Sequence, residues 1–201
     1  MALTFGLFGG HFFMQQCAIL IDGSFAKRKL GSNKCYATAT DFDDVVQTIK
    51  SHRSLLGKQL HRIYYDDSLP LETAHKQPIN GGVVRFADNP VAFRSKKLFE
   101  DLSRQAFTAL WLGELSFDGW KISSQGLHDT DSAEITVFRT DLLPQISQRG
   151  VDMHIGMDIA ALTLEKHVQM VLPNRFAFTA NEQERNLCKL LDEQVWPEQK
   201  Q

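Results

Sequence analysis

The chain has 201 residues, enough for one substantial domain, and nothing in it forces a second. Hydrophobic residues make up 43% of it, the ordinary share of a globular protein with a real core. Twenty-two Lys and Arg against 24 Asp and Glu leave a net charge of -2, so bulk charge gives no support to a nucleic-acid partner and leaves only a local basic rim open. Cys17, Cys35 and Cys188 are scattered and odd in number, which argues against a disulfide scaffold or a zinc site and for a reducing, intracellular compartment.

Residues 1–16 read as a loosely held extension. The stretch is apolar but lacks the early Lys or Arg and the small-residue cleavage site of a signal peptide, and it is too short to span a bilayer. Met14, just before the first strand, is an alternative start.

Residues 17–21 are a continuous apolar run, the pattern of a strand buried on both faces, and the run stops at Asp22-Gly23. An acid at the carboxyl end of such a strand faces the crevice where open α/β sheets bind ligands. An Asx turn that merely ends the strand accounts for Asp22 equally well. Lys27-Arg28-Lys29 crowds positive charge directly behind it. Thr40 with Asp43 marks a helix start, Phe42, Val45, Val46 and Ile49 carry the helix to about Leu56, and Gly57 stops it.

A second strand is predicted over residues 61–65, followed by Asp66 and Asp67, a pair that more often serves a turn than a site. Residues 68–89 read as a long loop. Asn89-Pro90 opens a helix whose buried stripe is Val91, Leu98, Phe99, Leu102 and Phe107. Residues 109–115 are strand-like, Asp118-Gly119 suggests a hairpin turn before 120–122, and 123–132 reads as a loop.

Residues 151–167 form an apolar-periodic helix carrying Asp152 and Asp158, residues 168–172 a last strand broken by Pro173, and residues 181–195 an amphipathic helix with Leu187, Leu190 and Leu191. Strands alternating with helices predict a parallel α/β sheet.

Carboxylates gathered at one sheet edge suit Mg²⁺ or Mn²⁺. Asp152, in the first turn of its helix, serves either that role or as a cap favoured by the helix dipole. Asp158 stands among apolar neighbours, where an unpaired carboxylate is costly without a cation or hydrogen bonds. Six residues separate the two, so they do not share one helix face. His154 lies four residues before Asp158, a ligand-compatible spacing, but reads first as a helix-surface histidine. Lys27, Arg28, Arg94, Lys96 and Lys97 are candidate phosphate contacts, although charged helix faces are usually just solvated. A phosphatase with Asp22 as nucleophile is poorer, because Ser24 stands where that pattern wants a second Asp.

Five blocks in order, ILIDGSFAKRKL, RIYYDDSLPLE, NPVAFRSKKLFEDL, ALWLGELSFDGWKI and GVDMHIGMDIAALTLEKHV, resemble the NYN-domain family, the LabA-like branch of the PIN-type nuclease superfamily. The resemblance covers roughly residues 18–171 and implies a PIN-like, Rossmann-like three-layer α/β domain over 17–172, with a central, mainly parallel sheet. It implies an Mg²⁺- or Mn²⁺-dependent ribonuclease with Asp22, Asp152 and Asp158 as catalytic and metal-holding acids, and the cysteine usage sets the expected location as cytoplasmic. Lys27 and Arg28 would steer the RNA backbone.

Two departures accompany it. Phe25 stands where many members carry Asn. After Leu172 the family continues Ser-Gly-Asp-Ser-Asp-Phe, whereas this chain reads Pro173-Asn174-Arg175-Phe176 with no acid until Glu182. Residues 173–201 are therefore a divergent tail, the product of a frameshift, a truncated gene or a diverged paralogue, and the sheet is expected to lack its usual last strands. Fewer acids predict a weaker metal site and low or no nuclease activity, which leaves a non-catalytic RNA- or protein-binding module as the alternative. An edge bared by missing strands would favour a homo-oligomer. No membrane partner is expected.

Overall fold

A computed structural model describes residues 15–31, 35–124, 136–165 and 168–173. The N-terminal extension up to residue 14, part of the 123–132 loop and the 181–195 helix expected from sequence lie outside the described residues.

Strand β1 (Gln16–Asp22) runs into helix α1 (Gly23–Leu30) with no intervening loop, because the Asp22 side chain accepts a hydrogen bond from the Phe25 backbone N–H at 2.9 Å and caps the helix. Helix α2 (Ala39–Ser51) is capped two residues ahead of the sequence expectation. Thr38 and Asp41 form its capping box, displacing Thr40 and Asp43 from that role. The helix ends at Ser51, and residues 53–55 continue as a 3-10 turn.

Strand β2 (Gln59–Ser68) is longer than predicted and takes in both Asp66 and Asp67, so neither acid serves a turn. The expected long loop contains a small hairpin of β3 (Ala74–Lys76) and β4 (Val83–Arg85). Asn89 caps helix α3 (Pro90–Ser103) through a bond from the Val91 N–H. Its core residues are Ala92, Leu98, Phe99 and Leu102, whereas Val91 and Phe107, both expected inside, are exposed. Val91 lies in the first turn, where the chain enters from solvent, and Phe107 lies past the helix end with φ +64°.

Strand β5 (Thr108–Ile122) is one continuous strand, and Asp118-Gly119 is not a hairpin turn. The extra residue is absorbed as a bulge between Phe117 and Gly119, where Gly119 takes φ +123°, and β5 pairs antiparallel with β6 (Leu142–Arg149). Gly150, at φ +88°, turns the chain from β6 into helix α4 (Val151–Leu164), after which β7 (Met170–Pro173) closes the described sheet.

The sheet order is β6-β5-β2-β1-β7, parallel at every pairing except the antiparallel edge of β5 with β6. The fold is thus α/β with a mixed five-stranded sheet. Helices cover both faces. On one, Ala26 of α1, Phe42 and Ile49 of α2, and Leu98 and Phe99 of α3 pack on Ile19, Ile21, Ile63 and Tyr65. On the other, Val151, Ile155 and Leu162 of α4 pack on Ala18, Leu20 and Tyr64. No helix among the described residues is long and apolar enough to cross a membrane.

This winding fixes where a ligand would sit. The connections from β1 toward β2 and β5 run over one face, and the connection through α4 to β7 runs over the other. The chain therefore reverses its winding beside β1, and the crevice at a parallel sheet's carboxyl edge opens at such a reversal. Asp22 is the last residue of β1.

Candidate functional site

The register of the parallel pair β1 and β2 sets Asp22 directly beside Asp66, two residues on from Leu20 beside Tyr64. Side chains alternate along a strand, and neighbouring strands lie about 4.8 Å apart. Asp22 and Asp66 therefore share the α4 face with Leu20 and Tyr64, while Tyr65 and Asp67 share the opposite face.

Asp67 is fully engaged on its face. Its Oδ2 accepts the Tyr65 hydroxyl at 2.9 Å and lies 2.7 Å from Lys27 Nζ, and its Oδ1 accepts the Ser68 N–H at 2.8 Å. The Ser24 hydroxyl lies 3.4 Å from the same Oδ1 and 3.2 Å from Gln148 Oε1. Burial, reinforced by Asp67, holds the Tyr65 hydroxyl protonated well beyond the usual phenol range. The Tyr65 ring is held edge-on by Phe42, with centroids 5.1 Å apart.

The packing of α1 on this pair requires Gly23. A β-carbon there would fall inside contact distance of the Tyr65 hydroxyl and 2.6 Å from Asp67 Oδ2.

Asp66 is the opposite case. It is 0% exposed, and neither carboxylate oxygen has a hydrogen-bond partner. Burial, then the carboxylates of Asp158, Asp22 and Asp67, pushes its pKa up to about 7. Asp158 reaches this face from α4. Burial also raises its carboxyl above the usual range, against the pull of His154 one turn earlier, and its Oδ2 is buried without a partner. Tyr64 lies close enough for Asp158 to help burial raise its hydroxyl pKa. His154 packs against Trp111, with ring centroids 5.6 Å apart, and its Nδ1 is buried and unpartnered. Trp111 stands beside Asp66 in the β2–β5 register, which closes the site on that side.

Of the acids singled out from sequence, the fold brings Asp22 and Asp158 to one face of the sheet edge. Asp152 stays exposed in the first turn of α4, where a negative charge complements the helix dipole. Asp66 takes the central place. Its period-two partnership with Tyr64 was the available signal, masked because a strand end in two acids looks like a turn. Among the described residues no three His, Cys, Asp or Glu side chains are drawn together as a ready metal-ligand set. The orphaned oxygens of Asp66 beside Asp22 nonetheless fit a hard cation. Mg²⁺ commonly takes one or two carboxylates and completes its shell with waters and substrate phosphate.

The five basic candidates separate as well. Lys27 pairs with Asp67, Lys96 with Glu72 and Lys97 with Asp101, while Arg28 and Arg94 have no carboxylate partner among the described residues. No protein-family model, curated protein or solved structure matches this chain. Fold and site define an α/β protein whose acidic sheet edge lies beside a reversal in the winding.

Proposed function

We propose that the acidic edge binds Mg²⁺ or Mn²⁺ and hydrolyses RNA phosphodiesters, as expected of the NYN-type, PIN-like ribonucleases that the sequence resembles. One observation carries this reading: Asp66 is fully buried with both oxygens unpartnered, between Asp22 and Asp158. An ionised, isolated carboxylate in such a place is costly, and it either keeps a proton or takes a cation. A divalent cation offsets the cost at pH above about 7, where the proton is gone. Asp22 and Asp66 would hold the ion and Asp158 would add negative charge from α4. A bound ion would supply an activated water and neutralise charge building on the phosphate oxygens.

Asp67 and Lys27 act differently. By binding each other they fix the α1 end of β2, so Lys27 supports the site's shape more than it steers a substrate. Three scattered cysteines without paired spacing fit a cytoplasmic setting.

A second reading, a non-catalytic RNA-binding module on the same scaffold, is favoured by the lack of a ready three-ligand set among the described residues. Incubating a labelled single-stranded RNA with the protein and Mn²⁺, beside Asp22→Asn and Asp66→Asn, separates the two. Cleavage lost in both variants supports the nuclease. Intact RNA with a folded wild-type protein supports the module.

A further inference from the structure

Next to the acidic edge, on the α1 and α3 side of the sheet, lies a cavity of about 710 Å³. That volume is within the ~300–1,000 Å³ typical of ligand sites. Its wall carries Arg28 from α1, Arg94 from α3 and Tyr36 from the segment between α1 and α2. The Arg94 guanidinium lies over the Tyr36 ring at 3.8 Å from its centroid, a stacked pair with Tyr36 46% exposed. Stacking fixes the guanidinium plane while leaving its edge N–H groups for an anion. A second cavity of about 190 Å³ shares Ser24, Lys27, Val91 and Ser95 with the first and ends on Asp67 and Ser68 at the tip of β2. The two form one path leading from a cationic, aromatic wall to the carboxyl-end tip of β2, which it reaches on the α1 face, across the strand ends from Asp22, Asp66 and Asp158.

We propose that this path holds a segment of single-stranded RNA, with Arg28 and Arg94 on successive phosphates and the Tyr36–Arg94 stack as the platform for a base. The assignment deepens the ribonuclease reading by naming where the strand lies beyond the reacting phosphate. A chain with net charge -2 presents in one groove, beside an exposed ring, two guanidinium groups that have no carboxylate partner among the described residues. Single-strand binders combine those two elements, a positive groove for the backbone and an aromatic for the bases. A mononucleotide would fill only the larger cavity and would leave unused its continuity with the acid-tipped one.

The test is fluorescence anisotropy of a ten-nucleotide, 2′-O-methylated RNA with full-length protein in EDTA, so that neither cleavage nor metal enters the readout. The wild type is expected to bind. The Arg28→Ala/Arg94→Ala variant should bind roughly ten-fold more weakly, with a salt slope reduced by about 1.4 for two phosphates on a single strand. Tyr36→Ala should lose about five-fold or more, while Tyr36→Phe should stay within about two-fold because a base stacks on either ring. Arg94→Lys keeps the charge and loses the plane, so it should fall between wild type and Arg94→Ala.

Unchanged melting of each variant, as expected for exposed side chains, ties the losses to the groove. If the double variant does not fold, the Tyr36 pair and Arg94→Lys decide. Binding indifferent to these changes, no binding by the wild type, or equally tight binding of a mononucleotide or of polyglutamate would overturn the assignment. Loss of cleavage with this binding intact would instead remove only the nuclease reading.

Discussion

Asp66 and Asp67 are neighbours in one strand and meet opposite fates. Asp67 faces α1 and spends both oxygens on Lys27, the Tyr65 hydroxyl and the Ser68 N–H. Asp66 faces α4, has no partner for either oxygen, and is surrounded by the acids Asp22 and Asp158. The same residue type at the same depth is thus satisfied on one side of the sheet and left with unpartnered oxygens on the other. The contrast follows from strand alternation alone, which sends consecutive side chains to different layers.

The largest expected effect is on the satisfied side. Asp67→Ala removes one partner from a buried network and leaves the Tyr65 hydroxyl and the Ser68 N–H unpaired, a loss of about 3 kcal/mol. Thermal unfolding should then fall by roughly 6–12 °C. Gly23→Ala attacks the same layer by overpacking against Tyr65 and Asp67, and should cost about 1–3 kcal/mol in denaturant melts. A Gly23→Ala protein as stable as wild type would show that the α1 end shifts freely, and the contrast between the two faces would lose its rigid half.

On the other face the sign reverses. The folded-state pKa of Asp66 is about 7, above the ordinary value of 3.8, so between those values the folded state keeps a proton that the unfolded state has released. Stability therefore falls as pH rises through that window, and the full penalty remains above it. In metal-free buffer, Asp66→Asn should raise the melting temperature by several degrees at pH 8, by roughly a third as much at pH 5, and barely change it at about pH 3.5. A lower melting temperature at pH 8 would show that the carboxylate has stabilising partners. The smallest effect belongs to Asp152→Asn, which gives up only an exposed charge in the first turn of α4 and should cost less than about 1 kcal/mol.

Much of this arrangement was legible in the sequence. The apolar run ending on Asp22 gave β1 and its carboxyl-edge acid, and Asn89-Pro90 gave the start of α3. Asp158 among apolar neighbours pointed to a carboxylate short of partners. Three features resisted. Asp66-Asp67 resembles a turn locally, and only its pairing with β1 keeps it in the strand. Asp118-Gly119 carries hairpin chemistry, but pairing with β6, which polar Gln145, Ser147 and Gln148 disguise, makes it a bulge. The basic residues looked equivalent until Asp67 and Glu72 reached Lys27 and Lys96 across the fold and Asp101, one turn on, paired Lys97, which leaves Arg28 and Arg94 without a carboxylate partner among the described residues.

The most direct test of the Asp66 side is calorimetric titration of Mn²⁺ into the RNA-free protein at pH 6 and pH 8, with Asp66→Asn and Asp152→Asn alongside. The expected result is saturable binding by wild type and Asp152→Asn, loss in Asp66→Asn, and a proton released on binding at pH 6 but not at pH 8. Absence of binding by the folded wild type, or undiminished binding by Asp66→Asn, would contradict the assignment of this buried carboxylate to a cation.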